Sequence, residues 1–500
     1  MNATSKKKRA TAINNSKPAS APASAAPLPP SASQPMAAVA DTQLATATPS
    51  PAAVAPIATG GDDTLRQQVE EMLRVNPRDG AAWSTLGVLL RRQGRNEEAL
   101  VCYHRGLEHE PGNAGIWSNL GNLLTDIGHH TEAMAAHARA MSLMGDNPQL
   151  LFNAAIGKRK AAAYHEALLL LDRALTAEPN SPALRWERAL TLLQVGNYSE
   201  GFRDYEYRRL IANYRTRPTP GTPWDGSPLE GRRIFLSTEQ GFGDTLMAAR
   251  YVPLVKARGG RILFECHPEL RRVLGGLPVD EFVPAGSAFP DFDLQTSQMS
   301  LPYLCGTTID TVPPPVSLHI PPDARAKAAR VLGPAEPGIL RVGIIWSGRV
   351  TFADNARRAS SLTRFLRLGA VPGVRLYSLQ KGPPEEQLAA LSSPLLVKPL
   401  GPHIDDFADT AAMVEQLDLV IMTDSSTAHL AGSLGTPIWN LVQYMPYWVY
   451  GDRGQGTPWY PSMRLFRQTS DQDWEPVFQS VTAALTEMAR AKAAAKPCRS

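Results

Sequence analysis

The chain has 500 residues, a formal net charge of +4 and four cysteines. That length calls for several domains rather than one core, and so small a charge excess gives no case for a nucleic-acid partner. Cys102, Cys266, Cys305 and Cys498 lack paired spacing, which argues against a zinc site or disulfide framework and fits a reducing cytoplasm. No apolar run approaches the roughly 20 residues of a membrane span, and the basic run Lys6 to Arg9 leads into Ala, Pro and Ser rather than a secretory signal's apolar core.

Residues 1–61 are dominated by Ala, Pro, Ser and Thr. Such a segment cannot bury enough apolar surface to offset its ordering entropy, and the expectation is disorder. A repeat follows over 62–212. Trp83 and Trp117 stand 34 apart, as do Gly87 and Gly121, while Ala99, Ala133, Ala167 and Gly201 march at the same step. Pro111 and Pro179 are two steps apart with Gly145 between them. This period and composition resemble the tetratricopeptide repeat. Small residues let paired antiparallel helices approach, the aromatic fills the gap between pairs, and Pro ends the second helix. The third unit departs, with Leu151 in place of Trp and Ala155 in place of Gly. Such an array acts either as a spacer or as a surface for a peptide or protein partner.

Arg215 to Gly231, rich in Pro and Gly, marks a boundary before a region at 232–316. Strands are expected at Arg233–Ser237 and Arg261–Glu265, with the turn GFGDT and a helix over Leu246–Arg258 between them. Shorter strands are expected at Glu281–Val283 and Phe292–Gln295. Leu246 stands where a dinucleotide fingerprint would place its third glycine, which argues against a nicotinamide site. Pro313 to Pro337 then links to a second region at 338–475. Its strands are expected at Arg341–Trp346, Gly373–Leu379 and Leu395–Leu400, and the helix Ala411–Leu417 feeds LDLVIMTDSSTAHLAGSLGTPIWNLV. A C-terminal helix at 476–495 is expected to pack back across the domains. Strands alternating with helices on both sides of a linker predict two doubly wound sheets facing a cleft.

The Leu417 stretch carries the strongest functional signal. An apolar strand runs into Asp424, Ser425, Ser426 and Thr427, which crowd the turn before a helix expected over Ala428–Leu434. A helix beginning just past a strand's carboxyl end points free N–H groups and a partial positive charge into the crevice, and small hydroxyl residues leave room for a phosphate oxygen. His429 is a further candidate phosphate contact, although a histidine inside a helix is more often a satisfied core residue.

Three segments in order, EQGFGDTLMAARYVPLV, LDLVIMTDSSTAHLAGSLGTPIW and WYPSMRLFRQ, resemble bacterial tetratricopeptide-repeat glycosyltransferases, whose catalytic part is similar to ADP-heptose:lipopolysaccharide heptosyltransferases and more distantly to O-linked N-acetylglucosamine transferases. The resemblance implies a GT-B fold, a nucleoside-diphosphate sugar held mainly by the second region, no metal or other cofactor, and inversion by direct displacement. It further implies that Asp244, following Gly241 and Gly243, deprotonates the acceptor hydroxyl. The two glycines, which let the backbone come close to a ligand or make the sharp turn, are candidate donor contacts. A carboxylate at a helix N-terminus is favoured as the anion, and the competing reading makes Asp244 a cap only. Arg349, Arg357, Arg358 and Lys381 are candidate cations for the departing diphosphate, with Arg358 and Lys381 ranked first. Trp448, Arg453, Trp459 and Tyr460 form an aromatic loop that either stacks on the ligand or packs between domains. Asp291 and Asp293 read as strand-end carboxylates rather than a metal-binding D-x-D. The chain departs from the family at RRASSL, where Ala359 precedes Ser360. Three functions follow: transfer to an acceptor, such as a protein, presented by the array; a lipopolysaccharide enzyme; or an adaptor with a silent transferase half.

Overall fold

The computed structural model describes residues 59–495 apart from 212–213, 215–216, 240 and 353–354, and only the backbone of 59–61. The expectation for 1–61 therefore falls almost wholly outside the described residues.

Nine helices are described before residue 206: α1 (Thr59–Val75), α2 (Gly80–Arg92), α3 (Asn96–His109), α4 (Ala114–Asp126), α5 (His130–Met144), α6 (Pro148–Lys160), α7 (Tyr164–Ala177), α8 (Pro182–Gln194) and α9 (Tyr198–Tyr205). The repeat has a visible physical basis. Ala99, Ala133 and Ala167 are fully packed between paired helices, and the rings of Tyr103 and His137 lie directly over Gly87 and Gly121. Asp79, Asn113 and Asn147 cap α2, α4 and α6 through their side chains. The indoles of Trp83 and Trp117 donate to the carbonyls of Pro77 and Pro111, each at 2.9 Å. Both indoles are only half-buried, because each packs over the chain entering its own helix rather than wholly within the gap between helix pairs. Arg185 takes this place in the fourth unit, its Nε donating to Pro179.

The first sheet contains β1 (Thr222–Pro223), β2 (Arg233–Ser237), β3 (Arg261–Cys266), β4 (Glu281–Pro284) and β5 (Leu294–Ser297) in the order β1-β5-β2-β3-β4, all parallel. The helix expected over Leu246–Arg258 is broken. It runs as α10 (Phe242–Ala248), a 3-10 turn, and α11 (Val252–Lys256), since Pro253 has no N–H to continue the ladder. α12 (Leu301–Leu304) follows, and α13 (Pro322–Leu332) forms within what reads in sequence as a proline-rich linker. Asp293 accepts from the Arg233 N–H at 2.7 Å, at the end of β2 remote from the turn that follows it.

The second sheet contains β6 (Leu340–Ile345), β7 (Val374–Ser378), β8 (Lys398–Pro399), β9 (Leu419–Thr423), β10 (Ile438–Val442) and β11 (Met463–Arg467), ordered β11-β10-β9-β6-β7-β8, again parallel. Its helices are α14 (Asn355–Arg358), α15 (Leu362–Leu366), α16 (Phe407–Glu415), α17 (Ser426–Leu434) and α18 (Glu475–Ala494). The strand expected over Leu395–Leu400 shrinks to two residues, with Leu395 exposed. α18 does not cross between the domains. Val477, Phe478, Val481 and Leu485 bury against the second sheet with Leu340, Val342 and Phe365.

One hydrophobic core joins the array's last repeat to both sheets. Leu193, Tyr198, Phe202 and Tyr205 share it with Leu236 and Tyr251 of the first region and with Trp448 and Trp459 of the second. The Trp459 indole donates to the Tyr198 hydroxyl at 2.8 Å, and Gln194 donates to the Gly451 carbonyl at 2.7 Å. Helical repeats thus lead into two doubly wound parallel sheets, as the sequence predicts. Among the described residues no helix is long and apolar enough to cross a membrane.

Candidate active site

In an open α/β sheet the crevice lies outside the strand carboxyl ends, where the strand order reverses. In the first sheet the order reverses between β2 and β5, and the turn after β2 carries Gly241, Gly243 and Asp244. In the second it reverses between β6 and β9, and the segments after these strands carry Ser347 to Ser360 and Asp424 to Thr427. The fold therefore brings α10 and α17 together at their N-termini. Gly243 packs so closely on α17 that a Cβ there would lie 2.8 Å from Cδ2 of His429 and 3.5 Å from Cα of Ser426.

Asp244 occupies the first turn of α10. Its Oδ2 accepts from the Gly241 N–H at 3.2 Å, and its Oδ1 accepts from the Tyr447 hydroxyl at 3.1 Å. The residue keeps a partial path to solvent while protein surrounds the carboxyl on the remaining sides. Burial pushes its pKa up to about 6, against the Tyr447 and Gly241 hydrogen bonds that pull it down, and the Asp424 charge raises it further.

α17 starts at Ser426, two residues before the expected Ala428. Its N-cap is Ser425, whose side chain makes no capping bond. Asp424 is not a cap either: it accepts from the Tyr450 hydroxyl at 2.7 Å and pairs with Arg358 at 3.7 Å. Ser425, Ser426 and Thr427 stay half-exposed. Gly435 closes the helix in the left-handed region with φ of 72°.

The candidate cations separate. Arg358 stands at the second switch point, stacked over the Phe352 ring at 4.2 Å, with a buried Nε that has no hydrogen-bond partner. Lys381 is exposed two strands away from β9 and donates to the Gly401 carbonyl at 2.8 Å, so no contact brings it to α17. Arg357 turns to the array, donating to the Asp126 carbonyl at 3.0 Å and to Asp471 at 3.3 Å. Arg349 is exposed. His429 is buried with Nδ1 2.9 Å from the Tyr460 hydroxyl. Burial pushes its pKa down to about 4, so the ring is neutral and supplies no positive charge to an anion. Trp448, Trp459 and Tyr460 are core residues rather than a ligand platform, and Arg453 is exposed beside Asp452. The loop's aromatic rings fill the space between domains because their area is worth more there than at a solvated rim.

Further polar groups collect where β6 and β9 end. The Ser360 N–H donates to the Trp346 carbonyl at 2.8 Å, which anchors the RRASSL segment to the strand. The hydroxyls of Ser360 and Thr423 are buried without hydrogen-bond partners. Asn355 ties Ser347 to Gly348, donating to the Ser347 hydroxyl and accepting from the Gly348 N–H, each at 3.1 Å.

Sequence reasoning passes over Tyr447 and Tyr450, the two residues that hold the facing carboxylates. Their signal is positional: the loop QYMPYWVYG follows the carboxyl end of β10 and so must border the crevice. It also passes over a buried ion cluster behind the first switch point. Arg208 grips Glu239 through two hydrogen bonds of 2.8 Å, Glu206 at 2.7 Å and Ser300 at 2.7 Å. This cluster bolts the end of the array to the strand end that carries Glu239.

One family model and three known proteins are similar to this chain in part. Residues 80–113 match the tetratricopeptide repeat family model. The helical region is a tetratricopeptide repeat array. Protein FlbA of Caulobacter vibrioides is 28% identical over 450 residues, covering 83% of this chain and 69% of that one. Among solved structures, E. coli ADP-heptose lipopolysaccharide heptosyltransferase II aligns over 53% of this chain and 100% of its own, at 13% identity and a TM-score of 0.39. PilW, a type IV pilus biogenesis factor, aligns over 31% of this chain and 72% of its own, at 22% identity and a TM-score of 0.29. The chain thus joins a tetratricopeptide repeat array to two parallel-sheet α/β domains.

Proposed function

We propose that this protein is a GT-B glycosyltransferase that moves a sugar from a nucleoside diphosphate to a hydroxyl acceptor presented by the array. The single observation that carries the reading is the meeting of the two switch points, which sets Asp244, in the first turn of α10, beside the uncapped N-terminus of α17.

The chemistry follows from those groups. Asp244 accepts the acceptor hydroxyl's proton as the acceptor oxygen bonds to the anomeric carbon. The bond from that carbon to the diphosphate breaks, and the nucleoside diphosphate leaves with the electron pair. The free N–H groups of α17 and the Arg358 guanidinium offset the charge gathering on the leaving group, so the step requires no metal. Ser425, Ser426 and Thr427 leave room for phosphate oxygens, and the unpartnered hydroxyls of Ser360 and Thr423 offer further hydrogen bonds.

A protein acceptor is the favoured partner because the array ends at the crevice. Tyr444 donates to the Ala161 carbonyl at 3.3 Å and Arg159 reaches Met445, so the third repeat packs on the loop that carries Tyr447. A second reading, an adaptor with a silent transferase half, draws support from Arg358 being paired with Asp424 and Lys381 being spent on Gly401.

A thermal-shift screen of the full chain against nucleoside-diphosphate sugars tests the proposal. A donor at a hundred times its dissociation constant stabilises by about 2.7 kcal/mol. If no member of a broad panel shifts the transition, the adaptor reading replaces the enzyme reading.

A further inference from the structure

We propose that Tyr447 is the positioning residue for Asp244, a hydroxyl carried by the second α/β domain that fixes a carboxylate carried by the first. The inference rests on the reading of Asp244 as the base and adds a reason for the two domains to be coupled. Oδ2 of Asp244 is held by its own turn through the Gly241 N–H, which leaves the carboxyl free to rotate about that one contact. The Tyr447 hydroxyl, at 3.1 Å from Oδ1, supplies the second point and so sets the plane of the group. Each oxygen keeps a further lone pair for the acceptor's proton.

The tyrosine is itself held. Its ring meets Trp448 at 5.1 Å, Tyr450 at 6.4 Å and His429 at 6.5 Å between centroids. Tyr450 makes the matching contact on the other side, donating to Asp424 at 2.7 Å. One loop therefore clamps two carboxylates that face each other. Without a donor on each, their mutual repulsion and burial would favour protonation of one. Tyr447 is suited to this work because Asp244 and burial both push its own pKa far up, which keeps it the donor.

The other groups facing Asp244 do not replace it. Asp424 across the crevice opposes its ionisation. Tyr460 approaches from the second domain, with its hydroxyl 2.9 Å from His429 Nδ1. Tyr205 of α9 feels both Asp244 and Glu239, but Glu239 is neutralised by Arg208. Opening of the domains would withdraw Tyr447 and leave Asp244 with one hydrogen bond, a weaker anion and a looser aim.

The test is an infrared titration of the full chain, with the Asp244 carboxyl band identified by its absence in Asp244→Asn. In Tyr447→Phe, which keeps the ring packing, the midpoint should move up, while Tyr450→Phe should move it less. With a donor found in the nucleotide-sugar screen, the acid limb of the rate profile should move by the same amount and donor affinity should stay the same. An unmoved or lowered midpoint in Tyr447→Phe, with its melting temperature intact, overturns the inference. If Tyr447→Phe unfolds, Asp244→Asn decides on donor affinity: loss of that affinity would mean the contact only holds the domains together. Full transfer by Asp244→Asn would instead bring down the base reading, whatever the titration gives.

Discussion

Gly243 and His429 touch where α10 packs on α17, with room between helix and ring for a hydrogen and nothing larger. A Cβ on Gly243 would lie 2.8 Å from Cδ2 of a ring that Tyr460 already holds. Gly243→Ala should therefore force α10 and α17 apart and cost about 1–3 kcal/mol, the range for overpacking a filled site. Gly241→Ala is the control, since a Cβ there approaches only Asp244 Oδ2 at 4.0 Å. Chemical denaturation of both variants checks this, and equal stability would mean that the helices do not meet as described.

Arg208 is enclosed with two carboxylates, Glu206 and Glu239, at the seam between array and first sheet. Arg208→Met leaves both anions without their main partner. Breaking a buried pair in this way costs about 3–5 kcal/mol. The loss should appear as a single lowered transition for array and sheet together, because Tyr205 and Leu236 belong to one core. Two separate transitions in the unmodified chain would contradict that shared core.

His137 occupies in the second repeat the place of Tyr103 in the first and Leu171 in the third, with both ring nitrogens unpartnered. Burial pushes its pKa down to about 4, against 6.5 when free. The folded pKa is the lower, so the unfolded chain binds more protons and stability falls as pH drops from 6.5 towards 4. The slope approaches 1.4 kcal/mol per unit and the total reaches about 3 kcal/mol. Asp244, raised in the folded state, works in the opposite sense over about pH 4–6, so the test is a difference. The stability of His137→Leu relative to the native chain should grow as pH falls through that window, and a constant difference would show that the ring is solvated.

If Asp244 acts as the base, it acts ionised, and its pKa of about 6 sets the acid limb. The transfer rate should be flat above neutral pH and fall tenfold per unit below about 6. A rate profile level down to pH 4.5 would exclude a base with this environment.

The sheets and the array are legible in the sequence because their signals are local. Continuous apolar runs mark strands covered on both faces, and a 34-residue step fixes the position of Ala99 as it does that of Ala133. Gly241, Gly243, Asp244 and Ser425 to Thr427 are legible for the same reason, since each lies in a turn directly after an apolar strand. What escapes local reading is set by contacts far apart in the chain. Tyr447 meets Asp244 across 203 residues and Arg208 meets Glu239 across 31. Lys381 fails as a site cation because of strand order, which no spacing reveals, and His429 because its partner is Tyr460 rather than solvent. The aromatic loop looks like a ligand platform by composition, but Trp448 and Trp459 are claimed by Tyr198 and Phe202 of the array.

The most direct measurement compares Asp244→Asn with the triple change of Ser425, Ser426 and Thr427 to Val, reading donor affinity by calorimetry beside the transfer rate. Asp244→Asn keeps the size of the side chain and removes the proton acceptor, so affinity should hold while the rate falls roughly 10²–10⁴-fold. The valines should weaken donor binding itself by blocking the approach to the α17 N-terminus. Full transfer by Asp244→Asn, or unaltered donor affinity in the valine variant, would contradict the account.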